Sequence, residues 1–183
     1  MRHLPNLICL LRIVLIWPVV AALQRGDYVT AFLVFVVAAV SDGLDGYLAK
    51  RFGWTSALGR FLDPLADKLL LVTVFLVATW QGLVPVWLTA AVVARDVLIG
   101  FGALVFRMFF GPLRGRPTRI SKINTALQIT FLIAAMLRAA SGFPPAEPMA
   151  ALAVFALATT LLSGADYTIT MVRRALVASP DHA

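Results

Sequence analysis

Four aspartates, Asp42, Asp45, Asp63 and Asp67, lie within the run SDGLDGYLAKRFGWTSALGRFLDPLADK (residues 41–68), in a chain that otherwise reads as membrane. An ionisable residue inside an apolar span is costly enough to mark a functional site. The spacing is i,i+3 for the first pair and i,i+4 for the second, so each pair shares one face of a helix. Two helical ledges with two carboxylates each are therefore expected. Close carboxylates left unpaired repel by about 4 kcal/mol at an effective dielectric of ~20, so a positive group must sit between them. Hard oxygen ligands favour Mg²⁺, Mn²⁺ or Ca²⁺. The pattern predicts a divalent-metal site at a membrane edge.

Of the 183 residues, 61% are hydrophobic and only 14% charged, with a mean hydropathy of +0.89. A soluble domain carries roughly a quarter charged residues, so the chain is read as an integral membrane protein. Its net charge of +7 does not indicate nucleic acid. Most basic residues fall in short links between apolar spans, where they set topology and meet anionic headgroups. The lone cysteine, Cys9, excludes an intrachain disulfide. Arg2 and the leucine-rich run after it imitate a signal peptide. Arg12 and Pro18 interrupt that run, and Ala21-Ala22 is a poor cleavage site, so a retained first helix is expected. With no transit-type leader, a bacterial plasma membrane is the simplest home.

A span needs roughly 20 apolar residues. Six are drawn, near residues 5–24, 28–50, 56–80, 84–110, 120–140 and 148–172. The expected fold is an all-α membrane protein with six transmembrane helices, in a single domain over residues 1–183. Lys50, Arg51, Arg60, Arg114, Arg116, Arg119 and Lys122 cluster at the even-numbered links, with Arg2, Arg173 and Arg174 at the ends. The basic side faces the cytoplasm, which puts both termini there and the aspartates at the cytoplasmic interface.

Around the aspartates, Gly46, Ala49 and Gly59 continue the two acidic faces. Small residues there let helices approach closely and leave room for a ligand. Pro64 is tolerated early in its helix or kinks it. Lys50 and Arg51 follow one turn below the first pair, within reach of phosphate oxygens. Ser56 either caps the third helix or donates to a ligand.

Taken together, Asp42-x2-Asp45-Gly46-x2-Ala49-Lys50-x8-Gly59-x3-Asp63-x3-Asp67 resembles the defining motif of the CDP-alcohol phosphatidyltransferases. The likeness extends to Pro5-Asn6 and Arg12, and to Ser121-Lys122-Ile123-Asn124-Thr125-Ala126-Leu127-Gln128. It implies that Asp42, Asp45, Asp63 and Asp67 hold two divalent cations, Mg²⁺ or Mn²⁺, with Asp67 as general base. It further implies that Asn6, Gly46, Lys50 and Ser56 bind CDP-diacylglycerol, that CMP is released, and that the protein is a homodimer. There are two departures. The family usually has Arg where Lys50 stands, and Lys lacks the bidentate fork, so Arg51 shares that role. Cys9 stands where relatives often have Thr or Ser.

For the acceptor, Arg95-Asp96 and the stretch from Pro117 to Thr125 look like the branch that uses phosphatidylglycerol and forms cardiolipin. Glycerol 3-phosphate, giving phosphatidylglycerophosphate, is the alternative. Arg116, Arg119 and Lys122 are the candidate acceptor-binding residues, with a solvated topology signal as the rival reading. The bland reading of the aspartates is an ion-pair network with Lys50, Arg60 and Lys68. Arg95-Asp96 is read first as a structural intramembrane pair, Asp166 as structural, and Trp80 and Trp87 as belt residues at the outer interface. A cation-translocating protein is the non-enzyme alternative. It would need carboxylates spread in depth, and these four cluster at one interface.

Overall fold

Each predicted apolar span becomes one helix. The computed structural model describes the backbone of residues 4–52, 59–110 and 118–178, and the side chains of residues 11–41, 66–109 and 118–173. The helices are α1 (Leu4–Gln24), α2 (Tyr28–Phe52), α3 (Gly59–Trp80), α4 (Val86–Phe110), α5 (Arg119–Ser141) and α6 (Ala146–Ala178). No strand occurs among the described residues.

The helix ends follow from local chemistry. After α1, Gly26 takes φ +73°, and Asp27 N–H donates to the Ala22 carbonyl at 3.0 Å. After α3, Gly82 takes the same φ, with Leu83 N–H on the Ala78 carbonyl at 2.9 Å. Both are left-handed helix stops that glycine adopts without strain. Asp27 then caps α2 by accepting from Thr30 N–H at 3.1 Å, and hydrogen bonding from the Thr30 hydroxyl and then its N–H holds the carboxyl below the usual range. Thr118 caps α5, its hydroxyl accepting from Ser121 N–H at 3.3 Å.

Helix α1 packs on α2 and α3, and α6 packs on α4 and α5. The two groups join through α2 against α5 and α3 against α4. The buried stripes repeat at helical spacing. They run Val19-Leu23 on α1, Ala31-Phe35-Ala38 on α2, Leu70-Val74-Ala78 on α3, Leu88-Val92 on α4 and Met149-Ala153-Ala156 on α6. At one end of the bundle the same stripes turn polar. Buried Arg12 extends the α1 stripe, Arg95 the α4 stripe, and Thr160 and Ser163 the α6 stripe, while α5 contributes Asn124 and Gln128. Outside, Trp17, Trp80, Phe101, Met108, Phe109 and Phe155 are exposed. Large apolar side chains on the outer surface and polar ones within suit a protein solvated by lipid.

The expectation of six transmembrane helices is corrected. Among the described residues, three helices are long and apolar enough to cross a membrane: Val86–Phe109, Arg119–Ser141 and Ala146–Arg173. Within the described side chains, α1 and α2 supply the apolar stretches Leu11–Gln24 and Tyr28–Ser41. In α2 and α3, charge takes up part of the helix. Asp42, Asp45, Lys50 and Arg51 occupy the second half of α2, and Arg60, Asp63, Asp67 and Lys68 the first half of α3. Apolar composition is confined to the remainder of each helix. The inference that six spans return both ends to one side falls with it. What stands is a multi-pass membrane protein built of helices.

Candidate functional site

Asp67 sits on the face of α3 that carries Leu70, Leu71 and Val74, so helical register turns it toward the bundle. Arg12 occupies the same position relative to Val19 and Leu23 on α1. The two meet: the Arg12 guanidinium donates to Asp67 Oδ1. The arginine side chain is 3% exposed and the aspartate 37%. Arg12 is thus a buried cation whose partner still faces a cavity. In the sequence Arg12 stood out only as an interruption of the first span and as part of the resemblance. Its place on the stripe 12, 19, 23 is the signal that it points inward.

The neighbouring residue, Lys68, turns the other way. Its ammonium donates to Asp96 Oδ1 on α4. Asp96 also accepts from Arg95 Nη1 at 2.7 Å, so the adjacent pair read as structural from sequence is an ion pair in the fold. Arg95 Nη2 donates to Ser121 Oγ of α5 at 2.7 Å and to Ser163 Oγ of α6 at 2.6 Å. Lys68 therefore serves Asp96 rather than an ion-pair network around the four aspartates. At 1.5 Å per residue, Lys68 lies about 18 Å along α3 from Trp80. That is the end of α3 that carries Asp63 and Asp67.

The stretch from Ser121 to Gln128 divides between two faces of α5. Asn124 and Gln128 are fully buried against α6. Asn124 Oδ1 accepts from Thr159 and Thr160 hydroxyls at 3.0 and 2.8 Å, and Gln128 Nε2 donates to Thr160 at 3.2 Å. Lys122, Thr125, Ala126 and Ile129 line an open groove of about 340 Å³, which Ser121 also borders. A second cavity of about 40 Å³ is lined by Arg12, Asp67, Phe35, Leu70, Thr125 and Ile129, among others. Thr125 and Ile129 border both spaces, so the groove on α5 adjoins the cavity that Asp67 lines.

Asp42, Asp45, Gly46 and Lys50 fall within α2, Asp63 within α3 and Asn6 within α1. Their side chains lie outside the described residues, as do Ser56 and Arg116 altogether. The continuous helix α3 puts Asp63 one turn before Asp67 on the same face, and α2 does the same for Asp42 and Asp45. Arg119 opens α5 and is exposed, but is not among the described residues lining the groove. Lys122 is. Arg95 and Ser163 were not predicted as site-associated through contact, because neither partner choice is visible in one dimension.

Residues 2–165 match the model of the CDP-alcohol phosphatidyltransferase family. Similar proteins include the cardiolipin synthase (CMP-forming) of Rattus norvegicus, 36% identical over 152 residues, covering 74% of this chain and 50% of the rat protein. The Homo sapiens protein of the same description is 31% identical over 180 residues, covering 90% of this chain and 60% of its own length. The CDP-diacylglycerol–glycerol-3-phosphate 3-phosphatidyltransferase of Bacillus subtilis is 30% identical over 194 residues, covering 91% and 94%. The chain thus spans only half to three-fifths of the two mammalian relatives. It belongs to the CDP-alcohol phosphatidyltransferase family, as the resemblance of its motif implied.

Proposed function

We propose that this protein transfers the phosphatidyl group of CDP-diacylglycerol to the hydroxyl of phosphatidylglycerol, releasing CMP and forming cardiolipin. The observation that carries this is the groove beside Asp67. It opens along α5 between a basic residue, Lys122, and apolar Ala126 and Ile129, which suits an acceptor with one phosphate and acyl chains in the bilayer.

Asp42, Asp45, Asp63 and Asp67 would hold two Mg²⁺ or Mn²⁺ ions. Their chemistry fits: four hard oxygen donors on two helical faces, with Asp67 already holding a cation, the Arg12 guanidinium. Bound there, the metals would supply positive charge against the diphosphate and the departing CMP. Asn6, Gly46, Lys50 and Ser56 bind the CDP-lipid. Asp67 takes the proton from the acceptor hydroxyl as its oxygen bonds to the lipid-side phosphorus. The bond from that phosphorus to the CMP oxygen breaks, and the electron pair leaves with CMP. Arg12 holds the Asp67 carboxylate in place during this exchange. The basic residues around this end of the bundle favour the cytoplasmic face of a bacterial inner membrane, and the family resemblance favours a homodimer.

Glycerol 3-phosphate is the second reading, favoured by the Bacillus subtilis protein, which this chain covers almost throughout. The test is direct. Purified protein is incubated with CDP-diacylglycerol, Mg²⁺ or Mn²⁺, and each acceptor in turn, and the lipid product is identified by mass. Cardiolipin is expected. Phosphatidylglycerophosphate without cardiolipin moves the protein to the second reading, and no transfer to either acceptor overturns both.

A further inference from the structure

We propose that Arg95 is a positioning residue for the acceptor side of the site, acting through Ser121 at the start of α5. This rests on the groove beside Asp67 being where the acceptor binds. Arg95 is 6% exposed in the middle of α4, and its fork reaches two other helices, Ser121 on α5 and Ser163 on α6. It pairs with Asp96, which also accepts from Lys68, the residue after Asp67. One polar chain therefore ties α3, α4, α5 and α6 at the level of the site.

What the tie controls is the rotation of α5. Each residue advances a helix by about 100°, so a shift of one position would exchange the groove face for the α6 face. Ser121 sits at the border between them, bonded to Arg95 and lining the groove. Lys122 follows it directly. Thr125 lies one turn on, its hydroxyl bonded to the Ser121 carbonyl at 3.1 Å. A guanidinium is flat and its donors diverge in fixed directions, so it sets where Ser121 stands in a way a flexible ammonium does not. Filling the bundle would require only an apolar side chain at this depth. The fork instead fixes the face on which Lys122 and Thr125 line the groove.

Steady-state kinetics of the purified full-length protein in mixed micelles test this with Ser163→Ala and Arg95→Lys. Ser163 lies on α6, outside the described lining of the groove, and touches the guanidinium from the far side. Each variant is expected to raise the acceptor KM by about fivefold or more, the scale of one charged hydrogen bond lost. The CDP-diacylglycerol KM should stay within about twofold. Combined in one chain, the two changes should be non-additive, because both act through one guanidinium. The measurement uses whichever acceptor the parent turns over, and a parent inactive with both overturns the proposed function before the variants are compared. With an active parent, equal shifts in both KM values overturn the positioning role, as does full additivity. If Arg95→Lys does not fold, Ser163→Ala decides alone: an unchanged acceptor KM overturns the proposal.

Discussion

Arg12 and Asp67 are 55 positions apart in sequence and form an ion pair between α1 and α3. The pair is asymmetric, since the arginine is buried and the aspartate opens onto the cavity that adjoins the α5 groove. A buried cation with a half-exposed partner fixes a carboxylate without closing it off.

Arg12→Ala is therefore expected to cost both stability and turnover. Breaking a fully buried pair costs about 3–5 kcal/mol. Exposure of Asp67 to solvent reduces this to about 1–3 kcal/mol, read as a fall in thermal midpoint in detergent. Turnover should drop at least about tenfold, as a positioned group is released. Arg12→Lys keeps the charge and should lie between the two. Parent-like turnover in the alanine variant would show that Asp67 needs no such anchor.

Asp67→Asn keeps side-chain size but removes the base and one metal ligand. Transfer is expected to fall by about 10²–10⁴-fold, the usual contribution of a general base, with CDP-diacylglycerol binding partly retained. Asp63→Asn should also abolish turnover, through loss of a negative donor to the cation. Assaying both across a Mg²⁺ and Mn²⁺ titration checks this. Activity within about tenfold of the parent in Asp67→Asn excludes that residue as the base.

Lys122 and Arg119 separate two sequence candidates by geometry. Lys122 lines the groove, and Arg119 is an exposed first residue of α5. Lys122→Ala should raise the acceptor KM by about tenfold, the scale of a lost charge-assisted contact, and leave the CDP-lipid KM nearly unchanged. Arg119→Ala should change the acceptor KM by less than about twofold. The reverse order of effects would place acceptor recognition at the helix end.

Asn124→Leu tests the polar seam between α5 and α6. Thr159 and Thr160 lose an acceptor but keep bonds to their own helix, Thr159 to the Phe155 carbonyl at 3.0 Å and Thr160 to the Ala156 carbonyl at 2.7 Å. No hydroxyl is stranded, so the cost should be about 1 kcal/mol, in the range found for such bonds between membrane helices. Thermal unfolding in detergent reads it. A loss several times larger would mean that the seam supports more than the pairing of two helices.

Much of this was legible in one dimension, because helical periodicity and hydropathy are local. Six apolar runs predicted six helices within a few residues of their ends, and the motif that includes Asp42, Asp45, Asp63 and Asp67 resembled that of the family. The same sequence suggested six membrane crossings, since composition averaged over a span hides that the charges of α2 and α3 gather in one half of each. Tertiary structure decided the partners. Asp67 meets Arg12 and Lys68 meets Asp96 although the two are adjacent in α3, because successive residues on a helix point about 100° apart and toward different neighbours. The run from Ser121 to Gln128 reads as one motif, yet it splits into a seam facing α6 and a groove adjoining the Asp67 cavity. Which residue fell on which face depended on how α4, α5 and α6 pack, and packing joins positions that no local spacing relates.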